Sequence, residues 1–329
     1  MIPAPPSSLG LLDRGEVLDI DIDAAHHLHA QARVLAGGRD TGALPQHGAA
    51  LVSALPPKLL RRLHRFAATG SPHNALLVRG VLPDLPDLQP TPATATPPAL
   101  GDTAQAAVLS LLAVGALLGE AFTFASLYEG RLIQHVVPVA GRETEQTSEG
   151  SADLAWHVED AFSADRCDYV GLLCLRGHPG AATMLAPARQ LNLSAGLARV
   201  LRQDRFVVAP DLAHGIGPAD ALLSPGPVLT GPDTDPEICF DAVYQQPADP
   251  GGDIEASEAL EELAAAIEQA AVGHVLRPGE LLILDNRRVV HGRTVFVPRY
   301  DGADRWLVRV MLCADRRQHR RRTGNRVLH

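Results

Sequence analysis

From Phe122 onward the chain breaks into short apolar or alternating runs, each closed by a turn, and this rhythm restricts the fold more than any other feature. The runs are 131–139, 169–175, 182–185, 237–243, 281–284 and 305–313. Segments this short at this spacing predict antiparallel strands in a sandwich or barrel. One helix interrupts them: Ser257 is a good N-cap, 258–272 has helical composition, and Gly273 is a plausible residue just past the helix end. The expected fold is mainly β with flanking helices around a β-sandwich or jelly-roll core.

Residues 1–120 read instead as mostly helical support. Leu59, Leu60, Leu63 and Phe66 fall on one helical stripe, 74–80 is a short buried strand, the Pro- and Thr-rich stretch 82–98 an extended loop, and 103–118 a helix. The longest apolar run, 106–119, has 14 residues and is too short to cross a bilayer. No polar linker splits the chain, so its 329 residues, 46% apolar, read as a single domain spanning 1–329, with 121–313 as core, a helical insertion at about 257–273 and a basic tail at 314–329. The start, MIPAPPSSLG, lacks a basic region and an apolar stretch, so no signal peptide is expected. Cys167, Cys174, Cys239 and Cys313 form no CxxC pair, which suggests a cytoplasmic setting and inert thiols. A net charge of −9 argues against nucleic acid as a partner. The basic stretch 316–322 dissents; it reads as a solvated, mobile tail, or as a segment folding over an anionic ligand. The sequence leaves the oligomeric state open.

Phosphate-binding signatures (GxGxxG, GxxxxGK[ST]) and the GxSxG elbow are absent. The informative segment is Trp156-His157-Val158-Glu159-Asp160-Ala161-Phe162. In extended backbone His157 and Glu159 leave the same face, and an imidazole plus a carboxylate supply two ligands to a divalent metal. Alone the pair is weak. With 38 acidic residues and 14 histidines in 329 positions, chance supplies about 1.5 such pairs, and a surface strand explains it equally well. His291, followed by Gly292, is the natural third ligand. Period 2 puts Arg305, Leu307, Arg309 and Met311 on one face of the last long run and Trp306, Val308, Val310 and Leu312 on the other, so neither face is plainly solvent. Arginines on such a face need anions, either structural salt-bridge partners or bound carboxylates.

The combination W-H-x-E-D-A-F, L-D-N-R-R-x-V-H-G-R and P-R-Y-D-G-x-D-R-W-L-x-R resembles the clavaminate synthase-like branch of the Fe(II)/2-oxoglutarate dioxygenases, whose members include amino-acid hydroxylases of peptide antibiotic biosynthesis. The resemblance is strongest over 281–313, good over 131–185 and weak before 120. It implies a double-stranded β-helix core and a metal held by His157, Glu159 and His291. It also implies that Arg305 and Thr183 bind 2-oxoglutarate and that Arg309 takes the substrate α-carboxylate. Gln134 and Glu159 would meet the α-amine, and Thr147 would lie near the substrate's backbone atoms; Gln134 and Thr147 also fit ordinary loop roles. The implied chemistry uses O2, converts 2-oxoglutarate to succinate and CO2, and hydroxylates an unactivated C–H at C3 or C4 of a free amino acid. Glu159 as a carboxylate ligand argues against halogenation.

In arginine-specific relatives a D-x-D pair meets the substrate's far end; here Asp241 is present but the partner position is Val243. One acid fits citrulline slightly better than arginine, unless Asp241 is merely a turn residue. Lysine, asparagine or a carrier-bound amino acid are the substrate alternatives. A zinc hydrolase and a non-catalytic binding protein are the functional ones. The polar loop 141–150, flanked by glycines, reads as either a mobile cover or a plain surface connection.

Overall fold

The computed structural model describes residues 12, 16–36, 44–215, 223–315, 317, 320, 321, 324 and 326–328. Strands β1 (Val17–Asp19) and β2 (Ala75–Arg79) bracket helices α1 (Ile22–Ala36), α2 (Leu44–Ala50) and α3 (Pro57–Thr69). Helix α4 (Asp102–Gly115) leads into β3 (Glu120–Phe124), β4 (Ile133–Val136), β5 (Leu154–His157), β6 (Tyr169–Arg176) and β7 (Ala182–Pro187). Next come α5 (Ala195–Leu201), β8 (Phe206–Val208), β9 (Leu229–Thr230), β10 (Glu237–Ile238), β11 (Gln245–Pro247) and α6 (Ile254–Ala270). The last strands are β12 (Val272–Val275), β13 (Leu281–Asp285), β14 (Val289–Arg293), β15 (Trp306–Cys313) and β16 (Val327–Leu328).

Eight strands form one sheet in the order β1-β2-β13-β6-β15-β3-β16, with β4 also on β15; four form a second, β12-β7-β14-β5. Strand β15 shows why they stack. Its Trp306, Val308, Val310 and Leu312 join the apolar cluster that includes Leu28, Leu59, Leu63 and Phe66 from α1 and α3. Its Leu307 and Met311 point the other way, into a cluster shared with Leu185 of β7 and Val289 of β14. The second sheet buries its outer face, with Ala186 and Val290, against α5 and α6 through Leu197, Leu201, Leu263 and Ile267. The layers are therefore helices, large sheet, small sheet, helices. Each fully buried Leu, Val or Phe contributes about 1.5–3 kcal/mol to holding them together.

Helix α3 carries the expected stripe, starting on Pro57 and closing on Gly70 at φ +64, a conformation that costs an L side chain energy. Helix α6 departs from expectation at both ends. Asp253 caps it, accepting the Ala256 N–H at 3.0 Å, while Ser257 sits inside the first turn and hydrogen-bonds back to the Asp253 carbonyl. Gly273 does not end the helix; it lies in β12 and pairs with Met184. The 237–243 run contributes only the two-residue strand β10, because Asp241 turns the chain immediately afterwards.

The tail is not simply solvated. Val327 and Leu328 add to the large sheet parallel to β3. Buried Glu120 at the start of β3 receives Arg320 at 2.6 Å and Arg326 at 2.8 Å. The Arg320 hydrogen bonds hold its carboxyl down at about 2 despite burial. The anion under the basic tail is thus part of the chain itself.

Candidate metal and cosubstrate site

Strand register assembles the candidate ligands. Strands β14 and β5 run antiparallel with His291 opposite His157, and the two rings lie 4.4 Å apart between centroids. Gly292 permits this approach: a Cβ there would lie 2.6 Å from the Leu154 carbonyl oxygen. Val158 is buried in the outer cluster, so His157 and Glu159 share the inner face, as their spacing requires. Asp160, at φ 54, then turns the chain away.

Asn286 fixes the Glu159 backbone. Its side-chain carbonyl accepts the Glu159 N–H at 2.8 Å, and its amide donates to the Glu159 and Cys167 carbonyls, each at 3.1 Å. One donor atom from each of His157, Glu159 and His291 lies within 4.8 Å of the others, and no other such trio occurs among the described residues. His157 Nδ1 lies 2.8 Å from the Ala155 carbonyl, which can only accept; Nδ1 therefore carries the hydrogen and Nε2 keeps a lone pair for a metal. Burial and the neighbouring His157 lower the His291 pKa, favouring the neutral, ligating imidazole. Burial opposes ionisation of Glu159, yet Arg309 and both histidines hold its carboxyl well below the usual range. Two imidazoles and one carboxylate fit a divalent cation of the non-heme iron type.

The triad opens into a cavity of about 1020 Å³, counted to its open mouth. Arg305, Thr183 and Arg309 line it. Arg305 is only 5% exposed, and no carboxylate of the described residues lies within ion-pair distance. Burial lowers its pKa to about 10, so the fold holds a cation there at a cost that an anion would relieve. Arg309 donates to both Glu159 oxygens at 2.7 Å and through Nε to Gln134 Oε1 at 2.7 Å. The Gln134 side chain thus serves Arg309 and, at 3.4 Å, Thr123, and it is not among the cavity-lining residues.

Thr147 is buried and lines the cavity, its hydroxyl accepting the Glu149 N–H at 3.3 Å. Loop 141–150 is more than a surface connection. Gln146, Thr147 and Ser148 line the cavity, Arg142 pairs with Glu145 and Glu149, Tyr128 bonds Ser148, and the Tyr300 hydroxyl donates to Glu143 at 2.7 Å.

The segment carrying Asp241 lies along β5. Val158 N–H bonds the Phe240 carbonyl and Ala242 N–H the Trp156 carbonyl, both at 2.9 Å, which puts Asp241 opposite His157. Asp241 Oδ1 accepts the Val243 and Tyr244 N–H groups at 2.8 Å. Asp241 is therefore a turn residue and a cavity residue at once, and Val243 also lines the cavity although it is 49% exposed. Sequence reading missed Asp211, Arg293 and Tyr128, which also line the cavity, and Asn286 behind it. All four cysteines are free, and burial raises the thiol pKa of Cys174 to about 12. Among the described residues no helix is long and apolar enough to cross a membrane.

Comparison with known proteins agrees with this geometry. A family model described as taurine catabolism dioxygenase TauD, TfdA family, matches residues 98–311. L-asparagine oxygenase of Streptomyces coelicolor is 40% identical over 272 residues, covering 81% of this chain and 79% of that protein. L-lysine 3-hydroxylase of Catenulispora acidiphila is 36% identical over 314 residues, covering 93% and 81% respectively. The crystal structure of the non-heme iron oxygenase OrfP with Fe, succinate and (3S)-hydroxy-L-Arg superposes with a TM-score of 0.85 at 28% identity, over 95% of this chain and 99% of that one. OrfP with Fe and α-ketoglutaric acid also gives 0.85, at 30% identity, over 95% and 100%.

Proposed function

This chain belongs to the TauD, TfdA family of dioxygenases, and on that premise we propose that it hydroxylates C3 or C4 of a free L-amino acid with an arginine-like or citrulline-like side chain. It is an Fe(II)- and 2-oxoglutarate-dependent amino-acid oxygenase. The observation that carries this reading is Arg305, a buried guanidinium without a carboxylate partner in the same cavity as His157, Glu159 and His291. A zinc hydrolase would have no use for such a cation.

His157, Glu159 and His291 would hold the iron. When bound, the metal supplies the oxidative chemistry that couples decarboxylation of 2-oxoglutarate to hydroxylation by O2. Every other task falls to the chain. Arg305 and Thr183 orient the distal carboxylate of 2-oxoglutarate. Arg309, aimed by Gln134, takes the substrate α-carboxylate, and its ion pair with Glu159 ties substrate position to the ligand set. The Glu159 carboxylate also faces the α-amine. Thr147 presents its hydroxyl to the substrate's backbone atoms, while loop 141–150 roofs the cavity and keeps water out.

Charge in the cavity is divided. Arg293 belongs to β14, Arg309 to β15 and Arg305 is the residue leading into β15, whereas Asp211 and Asp241 come from loops. Carboxylates thus enter at the strand end and a hydrogen-bond donor at the loop end. Asp211 contributes the second acid that Val243 does not, which fits a guanidinium or a ureido group. The core is read as a double-stranded β-helix made by the two sheets, within a single domain. Incubation with Fe(II), ascorbate, 2-oxoglutarate and a panel of amino acids tests the proposal by succinate release and product mass. Turnover of arginine or citrulline is expected. Succinate release strongest with apolar amino acids would overturn the substrate assignment, and none with any amino acid would overturn the activity.

A further inference from the structure

Arg293 has no role in the site described so far. It follows His291 by two residues on β14, so both side chains enter the cavity side of the small sheet. It is 4% exposed, and no carboxylate of the described residues pairs with it; Asp153 acts on it only beyond ion-pair distance. One terminal nitrogen donates to the Ala152 carbonyl at 2.7 Å, and its buried Nε has no hydrogen-bond partner. Arg205 and Arg287, by contrast, each have carboxylate partners.

Two further relations give its direction. In the β14–β7 register Arg293 stands directly opposite Thr183. Its guanidinium lies 5.0 Å from the centre of the Phe296 ring, and that of Arg305 lies 6.0 Å from the same centre. Two buried cations gathered at one ring, beside one threonine, repel each other unless a shared anion lies between them. A metal-binding 2-oxo acid with a second, distal carboxylate supplies that anion.

We propose that Arg293 is a second guanidinium for the distal carboxylate of 2-oxoglutarate, acting with Arg305 and Thr183; this rests on the dioxygenase reading above. The same side chain holds the Ala152 carbonyl at the foot of loop 141–150, so the carboxylate is linked through Arg293 to the cavity roof.

The test compares two 2-oxo acids that differ only at the far end. 2-Oxoglutarate and 2-oxobutyrate, which lacks the distal carboxylate, are titrated without oxygen into the Fe(II) protein, and binding is read from visible absorbance, independently of turnover. Wild type should prefer 2-oxoglutarate. Arg293→Gln should weaken 2-oxoglutarate about tenfold or more, the worth of one charge-assisted hydrogen bond, and leave 2-oxobutyrate unchanged. Arg293→Lys keeps the charge and should show the same selective loss to a smaller degree, which settles the matter if the Gln variant fails to fold. Equal weakening of both acids would make Arg293 only a support for loop 141–150 and overturn the inference, as would no change in either. A wild-type protein that binds neither acid would instead remove the dioxygenase reading itself.

Discussion

Replacing Asn286 by alanine tests how the ligand segment is held, far more sharply than removing a ligand does. The Asn286 side chain is fully buried and makes three hydrogen bonds, to Glu159 N–H at 2.8 Å and to the Glu159 and Cys167 carbonyls at 3.1 Å. Alanine leaves three backbone groups without partners. At about 1 kcal/mol for each lost bond, plus a small cavity, the loss is about 3–4 kcal/mol, a large part of the 5–15 kcal/mol that typically holds a domain folded. Glu159 loses its anchor at the same time, so Fe(II) affinity should fall about 10–100-fold, as when metal-supporting contacts are removed elsewhere. Asn286→Asp should cost at least as much, because it directs a carboxylate oxygen at two carbonyl oxygens. Urea unfolding of the iron-free protein and Fe(II) titration measure the two effects separately. An alanine variant within about 1 kcal/mol of wild type and with unaltered iron affinity would show that Asn286 does not position Glu159.

Alanine at His157, Glu159 or His291 should abolish turnover with the fold retained, checked by activity and circular dichroism; normal turnover of His291→Ala would remove the triad assignment. Arg305→Ala should raise the KM for 2-oxoglutarate by about 30-fold or more, whereas Arg309→Ala should weaken the amino acid and, by freeing Glu159, also loosen Fe(II). If both lost only thermal stability, the arginines would be structural. Asp241→Ala should lose activity on arginine or citrulline far more than affinity for 2-oxoglutarate, and Val243→Asp should move preference towards arginine in competition assays. Glu120 is a depressed carboxylate, so its contribution is complete above its ordinary value of 4.5 and disappears as pH falls towards about 2. The stability advantage of wild type over Glu120→Gln should shrink across that window, and a pH-independent difference would refute it.

The sheet core and the shared face of His157 and Glu159 were legible because both follow from period 2. His157 and Glu159 share a face for the same reason that Arg305 and Leu307 do, whereas His291 joins them only through the family resemblance, because nothing in its place along the chain points to the pair. Roles that depend on which neighbour a side chain meets were not legible. Gln134 could be assigned to the substrate because nothing local reveals that Arg309 lies beside it, one strand away in register. Asn286 stood in plain view within the L-D-N-R-R motif, but its partners Glu159 and Cys167 are more than 110 positions distant in sequence. The cap of α6 was misread because Ser257 and Asp253 both suit an N-cap, and only the packing of Ala256 and Ala259 chooses between them. The tail misled for a similar reason: its arginines look solvated until Glu120 is placed beneath them.

Strand β15 has a consequence for how such a protein could be re-purposed. Arg305 and Arg309 are four residues apart, so extended backbone sets their Cα atoms about 13–14 Å apart. From Trp306 onward that spacing is held by the hydrogen-bond ladders with β4 and β6. In the proposed binding mode the substrate's far end meets 209–215 and 237–244, which brace themselves through the Asp211 cap, the Asp241 turn and the Tyr244 hydroxyl. Reaction and recognition are therefore carried by separable pieces of chain. Grafting these two segments from a hydroxylase of another amino acid should transplant its preference and leave the reaction chemistry in place. The graft must preserve the Phe240 carbonyl and the N–H of residue 242, since those two groups align the segment with the histidine strand.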